Sequence, residues 1–365
     1  ICFSFFIFTK KYHMRLINYF LVALVFISSC KEDTEETPNL SNDYGSGLYI
    51  ATDNGVSFYD GDTIQNQIYR TVNSTSLSNV ERIKFKGTKA YILANHNLYT
   101  ANIKTFEDKG TSSSFVNAVD FEFVNPDDRI FVVDRGDSKV KVVDLDRMEI
   151  TSDIETGDST KPVFIVSKWY RSIIMNGGAV ADSLKDSTIV AIDYRDELVP
   201  LADMKGSLYI GDNPNSAVNI NDLIILCKGI YDPNNMANNT KASLVKVNPW
   251  NLTIDWTQQL NNIYNAKNLT SNNAGSVYFF TAADGVYSMN PNGNGVGQVL
   301  PIISDVLFVQ NEQYFPTDST TATSNMLYVN DSENNPNTIY KYNLVLSNYV
   351  DTIIVDGNVI DINFY

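Results

Sequence analysis

Cys30 is the residue of this chain whose type and position point most directly to chemistry. It follows an apolar run, residues 16–27, and two serines. A basic start, a short apolar run and small residues before a cleavage point are features of a secretory signal, and about 12 residues are fewer than the about 20 that a membrane-spanning helix needs. The pattern predicts a lipoprotein that is cleaved before Cys30 and lipidated on it. The alternative, an uncleaved anchor, is disfavoured because basic residues interrupt the apolar sequence between positions 10 and 15.

The segments around Cys30 define the predicted organisation. Residues 1–29 are an upstream segment and signal peptide, and residues 30–46 are acidic, polar and poor in aliphatic side chains. Such a composition buries too little apolar surface to order the chain, which predicts a flexible tether. Residues 31–33, Lys-Glu-Asp, resemble the surface-export signal of Bacteroidota lipoproteins. That resemblance implies a lipid anchor in the outer membrane and exposure at the cell surface.

The net charge of the chain limits the classes of partner that it can bind. It contains 42 acidic and 27 basic residues, a net charge of −15. Nucleic-acid binding depends on Lys and Arg that neutralise phosphates, so this composition excludes a nucleic-acid partner. Anionic headgroups would also repel an acidic protein, so attachment to the membrane must come from the lipid anchor.

Residues for catalysis or metal binding are sparse after the signal. Nucleophilic catalysis usually pairs a nucleophile with a base such as His, and His96 is the one histidine there, in an Asn-His-Asn turn. Cys227 lies in an apolar run and is predicted to be a buried strand residue. Without clustered His and Cys, a zinc site is not expected. Oxygen-rich turns at residues 60–62, 232–235 and 331–335 leave calcium open as a cofactor. We therefore expect no enzyme.

Short apolar runs separated by Gly, Asn, Asp and Pro fill the rest of the chain, and none has a helical period. They recur in pairs about 40–55 residues apart, near the period of propeller blades. The first members of the pairs are residues 48–50, 90–93, 129–133, 172–175, 223–226, 277–280 and 326–329. The second members are residues 56–60, 98–101, 140–144, 188–193, 243–248, 286–290 and 338–343.

Seven such units predict an all-β fold, a seven-bladed β-propeller over residues 47–365. The first unit lacks an innermost strand before residue 48, whereas residues 358–365 match the innermost strands at 79–85 and 118–123. We expect the C-terminal strand to complete blade one and close the ring, which removes an open sheet edge and favours a monomeric propeller. A tandem of β-sandwiches is the alternative fold.

Residues 128–146 carry a family resemblance. They resemble the YVTN repeat of surface-layer and YncE-like propellers, and residues 47–51 and 326–330 match it in part. The resemblance includes Bacteroidota surface lipoproteins, some of which capture corrinoids for a TonB-dependent transporter. It implies such a transporter as a partner, although no ligand-binding residue of those relatives matches a position here.

The lengths of the loops between strands predict which face of the propeller binds a ligand. Loops between the second and third strands lie on one face of a propeller, and insertions there often form the binding surface. These loops are expected to be long at residues 176–187, 229–242 and 330–337, although tolerated insertions are the alternative reading. One residue per blade marks that face as a ligand-binding candidate: Asp53, His96, Arg135, Asn176, Tyr231, Asp284 and Asp331.

The combined expectation is a non-catalytic lipoprotein that binds a ligand or partner at the outer membrane. A corrinoid, another small molecule or a glycan are the ligands considered. Two other functions stay open: a structural or adhesive surface-layer component, and a lyase or hydrolase that uses carboxylates and calcium.

Overall fold

A computed structural model describes residues 43–124, 128–156, 160–178, 186–195, 203–272, 274–301 and 326–365. Cys30, the predicted signal and the tether as far as residue 42 lie outside these ranges. Residues 43–365 form one compact unit.

The described residues form seven antiparallel sheets, six with four strands and one with three. The strands of each blade are given from the first to the fourth. Blade 1 contains β27 (Val359–Phe364), β1 (Leu48–Thr52), β2 (Gly55–Tyr59) and β3 (Ile64–Gln65), and blade 2 contains β4 (Val80–Lys86), β5 (Lys89–Ala94), β6 (Asn97–Asn102) and β7 (Asp108–Ser112). Blade 3 contains β8 (Ala118–Val124), β9 (Arg129–Asp134), β10 (Lys139–Asp144) and β11 (Glu149–Glu155).

Blades 4 to 7 follow in chain order. Blade 4 contains β12 (Phe164–Lys168), β13 (Arg171–Asn176), β14 (Thr188–Asp193) and β15 (Asp203–Tyr209), and blade 5 contains β16 (Pro214–Val218), β17 (Leu223–Cys227), β18 (Ser243–Asn248) and β19 (Thr253–Gln259). Blade 6 contains β20 (Lys267–Ser271), β21 (Tyr278–Ala282), β22 (Gly285–Met289) and β23 (Gly297–Pro301). The described strands of blade 7 are β24 (Met326–Asp331), β25 (Asn335–Asn343) and β26 (Asn348–Ile354), which are equivalent to the second to fourth strands of the other blades.

The sheets are arranged as a ring, with their first strands at the centre. β27 contacts β4, β4 contacts β8, and the succession continues through β12, β16 and β20. The predicted seven-bladed β-propeller is confirmed, and every pair of apolar runs found in the sequence coincides with the second and third strands of a blade.

Seven hydrophobic clusters hold the ring together, one at each junction between neighbouring blades. Strand β5 shows why the second strands are apolar throughout. Tyr91 and Leu93 pack towards blade 3, whereas Ile92 and Ala94 pack towards blade 1. Successive side chains of a strand point to opposite faces, so a strand with a blade on each side must be apolar at every position.

The C-terminal strand closes the ring, as predicted. β27 pairs antiparallel with β1, and Leu48 lies opposite Phe364 and Ile50 opposite Ile362. Phe364 and Ile362 belong to the cluster between blades 7 and 1, where the Phe364 ring lies 5.4 Å from that of Tyr328. The first and last described strands of the domain therefore share one sheet.

Among the described residues, two short helices depart from the strand-only pattern of the sequence. Helix α1 (Ile68–Asn73) follows the two-residue strand β3 and buries Ile68 and Tyr69 between blades 1 and 2. A 3₁₀ helix, Met236–Asn238, lies in the long loop of blade 5. Six and three residues are too few to show a helical period. Within the described ranges no helix is long and apolar enough to cross a membrane.

The packed domain begins at Asp43, four residues earlier than the predicted start at residue 47. Tyr44 is buried against Phe58 and Phe106, with ring centroids 5.4 and 5.7 Å away. Its backbone N–H donates to the carbonyl of Lys104 (2.8 Å). An aromatic side chain thus fixes residues that their acidic, polar neighbours had assigned to the tether.

The three expected long loops differ in structure. Blade 5 has one, closed at its base by an antiparallel bridge between Ile230 and Thr240. Blade 7 does not: Asp331 pairs with Asn335, so a bulged hairpin leaves a short turn where residues 330–337 were expected to form a loop. In blade 4, residues 179–185 lie outside the described part of the chain.

Phe364→Ala tests the closure. The substitution removes a nearly buried ring from the junction of blades 7 and 1, so the free energy of unfolding should fall by about 3 kcal/mol. Ile354→Ala, at a position 61% exposed, is the control and should change it by less than about 0.5 kcal/mol. Denaturant unfolding followed by circular dichroism measures both, and equal midpoints for Phe364→Ala and the parent protein would contradict the role of β27.

Candidate functional site

The first strands of the blades enclose a central channel that contains a cavity of about 390 Å³. Its walls come from β27, β4, β8, β12, β16 and β20, the first strands of blades 1 to 6. The volume lies within the range of about 300–1,000 Å³ that is typical of small-molecule sites. The polar and charged side chains that line it are Arg82, Lys84, Asp120, Asn215, Ser216, Asn268, Thr270, Asp361 and Asn363.

A β-bulge places these side chains in the channel. In five first strands the pairing register shifts close to a lining residue: before Arg82, Asp120, Ser216 and Asp361, and around Asn268. A bulge adds one residue to a strand and re-aims the side chain that follows. The same local feature, repeated in five blades, therefore turns one polar side chain of each towards the axis.

Hydrogen bonds between blades fix three of these positions. Asp361 accepts from the backbone N–H of Ile83 (3.3 Å), and Asp120 accepts from that of Ile165 (3.0 Å). Ser216 accepts from the backbone N–H of Leu269 (3.0 Å). These three side chains, from blades 1, 3 and 5, each bind the first strand of the next blade, which keeps the channel wall rigid.

Charges gather on the side of the channel formed by blades 1 to 3. The Asp120 carboxylate, fully shielded from solvent, lies 3.3 Å from Lys84 Nζ and 3.5 Å from Arg82 Nε. Lys84 also donates to Glu122 (3.2 Å) and to the carbonyl of Phe121. Burial lowers the pKa of Lys84, but Asp120 and Glu122 outweigh that effect and the net shift is upward.

Arg82 uses two of its donors within the described part of the chain. Its Nε lies 3.5 Å from Asp120, and its Nη1 donates to the carbonyl of Glu81 (2.9 Å), whereas a guanidinium has five N–H groups. Burial lowers the pKa of Arg82, and Asp361 and Asp120 raise it by more. The guanidinium therefore stays charged while it lines the cavity.

Asp361 has the opposite tendency. Its carboxyl is enclosed by the first strands, and burial raises its pKa above the ordinary value of 3.8 despite the opposing effects of Arg82 and the Ile83 N–H. A carboxyl with a raised pKa in a cleft is a feature of functional sites as well as of buried ion networks.

The opposite side of the channel is uncharged. Blades 5 and 6 supply Asn215, Ser216, Asn268 and Thr270, and blade 4 supplies the ring of Phe164. Asn215 Nδ2 donates to the carbonyl of Ala266 (2.8 Å), and the Ser216 hydroxyl donates to Asn215 Oδ1 (2.8 Å). A ligand in the cavity would contact charges on one side and amide, hydroxyl and aromatic groups on the other.

The seven candidates chosen from the sequence lie elsewhere, and the cavity lining includes none of them. Asn176 and Asp331 end second strands, and the other five lie in the turns and loops between second and third strands. We call this end of the ring, with the connections between blades, the loop face. Asp53 accepts from Asn358 N and Nδ2 (2.7 and 2.8 Å), and Arg135 Nη2 donates to the carbonyl of Gly178 (2.6 Å). Both side chains bind other parts of the loop face.

Three more candidates contact residues of their own hairpins. Asn176 is buried, and its Nδ2 donates to Thr188 Oγ1 (3.0 Å). Asp284 accepts from the Tyr287 hydroxyl (2.8 Å), and Asp331 accepts from Asn334 N (3.2 Å) and Nδ2 (2.9 Å). These contacts stabilise turns.

His96 and Tyr231 are exposed on the loop face. His96 occupies a left-handed position (φ 58°) in the turn between β5 and β6. The Tyr231 ring lies 6.0 Å from that of Tyr264. A ligand-binding role for these seven residues stays a prediction.

The turns proposed for calcium hold their carboxylates with backbone donors. Asp60 accepts from the N–H groups of Asp62 (2.9 Å) and Thr63 (2.7 Å), and Asp232 accepts from those of Asn234 and Asn235. Within the described ranges no group of three or more His, Cys, Asp or Glu side chains is arranged to hold a metal ion. Calcium binding stays untested. Cys227 is buried as predicted, and burial raises its pKa to about 12.

The sequence does contain a signal for the channel residues. An asparagine stands three positions before the lining residue in five blades: Asn79 before Arg82, Asn117 before Asp120, and likewise Asn213, Asn265 and Asn358 before Ser216, Asn268 and Asp361. In four of these blades the asparagine carbonyl accepts a hydrogen bond from the turn between the second and third strands. Aligning the first strands on this asparagine identifies the channel position.

Comparisons with known proteins agree with the fold. No protein-family model matches the sequence, and no curated protein matches it. The structure is similar to that of "Kuenenia stuttgartiensis Hydrazine Synthase", with a TM-score of 0.59 and 13% identity over 82% of this chain and 91% of that one. The Pan2 WD40 domain of Neurospora crassa gives 0.49 and 11% over 76% and 78%. At 13% identity, the likeness to the hydrazine synthase chain shows the fold alone.

Asp361→Asn tests the electrostatics of the channel. Because the folded-state pKa of Asp361 is raised, the carboxyl contributes its full stability only below its unfolded value of 3.8, and that contribution is lost as pH rises through the folded-state pKa. The variant has no ionisable group at this position, so the difference in free energy of unfolding, variant minus parent, should increase as pH rises.

Asp144→Asn provides a control of opposite sign. The backbone N–H and guanidinium of Arg147 lower the pKa of Asp144, so this variant should lose stability relative to the parent as pH rises. Denaturant unfolding at a series of pH values measures both differences. A pH-independent difference for Asp361→Asn would contradict the raised pKa.

Proposed function

We propose that this chain is a non-catalytic binding protein, held at the outer membrane by lipid on Cys30, that takes a small polar ligand with a carboxylate group into its central channel. The observation that carries the proposal is the charged Arg82 guanidinium, which lines a cavity of about 390 Å³ and uses two of its five N–H groups in contacts with Asp120 and Glu81. Arginine suits this role because its planar N–H groups match a carboxylate.

The uncharged side of the channel supports a hydroxylated ligand. Amide and hydroxyl groups of Asn215, Ser216 and Thr270 can exchange hydrogen bonds with ligand hydroxyls, and the Phe164 ring offers an apolar face. An acidic sugar has this combination of groups and fits the volume. A corrinoid is far larger than the cavity, so capture of a corrinoid, with or without a TonB-dependent transporter, would use the loop face.

An enzyme is the second candidate, because Asp361 has a raised pKa in the same cavity as Asp120. General acid–base chemistry requires a second group free to move a proton. The Asp120 carboxylate is engaged by Lys84, Arg82 and the Ile165 N–H, which supports binding rather than catalysis. Formation of product from a glycoside of an acidic sugar would favour the enzyme.

Arg82→Gln tests the ligand site. Isothermal titration with glucuronate, galacturonate and N-acetylneuraminate, and with glucose as the neutral comparison, should show binding of at least one acid and not of glucose. Loss of a charge-assisted hydrogen bond should weaken that binding about tenfold or more. Arg147→Gln, an exposed arginine paired with Asp144 on the outside of blade 3, should bind like the parent protein.

A loop variant decides between the channel and the loop face. Replacement of residues 231–239 by Asn-Gly shortens the blade 5 loop above the Ile230–Thr240 bridge and should leave binding of the acidic sugar intact. Loss of binding in this variant, together with unchanged binding in Arg82→Gln, would contradict the channel and support the loop face. The titration of both variants with cyanocobalamin tests the corrinoid alternative.

A further inference from the structure

The two ends of the propeller differ in the chain segments that form them. Strands alternate in direction, so the turns between first and second strands and between third and fourth strands lie together at the end opposite the loop face. We call this end the turn face. It carries a group of exposed apolar side chains in blades 4 to 7, named here the apolar rim: Trp169, Tyr170, Ile220, Trp250, Val296, Val345 and Leu346.

Exposure of the apolar rim is high for such large side chains. Trp169 is 60% exposed, Val345 69% and Leu346 65%. The corresponding turns of blades 1 to 3 instead carry exposed polar residues, including Asp60, Asp62 and Asp146. Clustered apolar exposure of this kind marks an interaction surface, and here it covers one sector of one face.

The turn that holds Trp169 is costly for that residue. Trp169 and Tyr170 form the two-residue turn between Lys168 and Arg171, and Trp169 has φ of 56°. Such turns favour Asn and Gly, which tolerate positive φ, whereas a bulky residue there is strained. Turn formation alone does not account for a tryptophan at this position.

Basic side chains hold the two indoles in place. The Trp169 and Trp250 rings lie 5.6 Å apart. Lys168 lies 5.5 Å from the centre of the Trp169 ring, and Arg195 5.0 Å from that of Trp250. Arg171 Nη1 donates to the Pro249 carbonyl (2.9 Å).

This cluster is locally basic on an acidic protein. The buried Asp193 carboxylate accepts from both Arg171 and Arg195. Among the described residues, Lys168, Arg171, Arg195 and Lys246 supply four positive charges near two carboxylates, Asp193 and Asp222. Tryptophan and tyrosine with nearby lysine and arginine are the combination found at membrane–water interfaces.

The chain also enters the domain on the turn face. Tyr44 N and Gly45 N donate to the carbonyls of Lys104 and Ile103 (2.8 and 3.2 Å), in the turn between the third and fourth strands of blade 2. The described chain therefore begins at this face, and about 12 residues of the sequence separate Asp43 from Cys30. A fully extended segment of that length spans at most about 40 Å.

We propose that the apolar rim docks onto the boundary between headgroups and acyl chains of a phospholipid membrane. Three observations favour a membrane over a second copy or a glycan. The exposed Val345 and Leu346 side chains offer no polar group. The basic cluster lies beside the indoles, and the chain enters the domain on the same face. The orientation rests on the proposed lipid anchor at Cys30. Docking would turn the loop face and that mouth of the channel away from the membrane.

The test uses the mature chain from Lys31 to Tyr365, which lacks Cys30, so that binding cannot come from acyl chains. Vesicles of phosphatidylcholine with phosphatidylglycerol should co-sediment with the protein. Two of the three tryptophans belong to the rim, so intrinsic fluorescence should shift to the blue and be quenched by brominated acyl chains.

The double variant Trp169→Asn with Trp250→Ser should lower vesicle partitioning about tenfold or more, because two large aromatic surfaces no longer leave water. Asn suits the positive φ of position 169, so the fold should be retained. The matched control, Tyr209→Ser with Tyr231→Ser, removes two exposed aromatic side chains at the loop-face end and should partition like the parent.

Three outcomes would overturn the proposal: no vesicle binding by the parent chain, equal loss in both double variants, or a dimer in solution that is lost in the tryptophan variant without vesicle binding. The last outcome identifies a second copy as the occupant. Arg82→Gln should bind vesicles normally, so failure of the ligand site leaves vesicle binding intact and the two proposals fail separately.

Discussion

Burial of both faces of every blade is the constraint on which the rest of this structure depends. A blade between two neighbours needs apolar side chains at both alternating positions of its central strands, as Tyr91 and Ile92 show by packing into different junctions. No blade can satisfy this requirement at the end of an open row. The ring must close, and β27 closes it by adding the C-terminal strand to the sheet that begins at Leu48.

The same constraint sends polar side chains to the axis. With the spaces between blades occupied by apolar groups, the first strands can place charge only towards the channel, and bulges direct Arg82, Asp120 and Asp361 there. Asp361 belongs to β27, the strand that closes the ring, so the charged wall is complete only when the ring is closed. Its contact with the Ile83 N–H joins blade 1 to blade 2 at that point.

The sequence predicted the fold well because second and third strands are apolar runs whose length and spacing repeat. The channel residues were not found from the sequence, for a physical reason. First strands such as β4 and β8 are half polar, and a bulge shifts their alternation by one residue, so the inward position does not stand out by periodicity. Loop length drew attention to Asp53 and Arg135, whose side chains stabilise the loop face. Helix α1 was missed because six residues show no period.

The charged wall of the channel and the apolar rim occupy different sectors, which bears on how the domain would sit on a membrane. The rim belongs to blades 4 to 7, whereas the chain enters beside Lys104 in blade 2, next to acidic turns that include Asp60 and Asp146. Anionic headgroups repel those turns and attract the cluster around Trp250. A domain docked by its rim would therefore tilt, with blades 1 to 3 raised from the surface. The charged wall of the channel lies in these raised blades, so docking and ligand entry need not compete for the same surface.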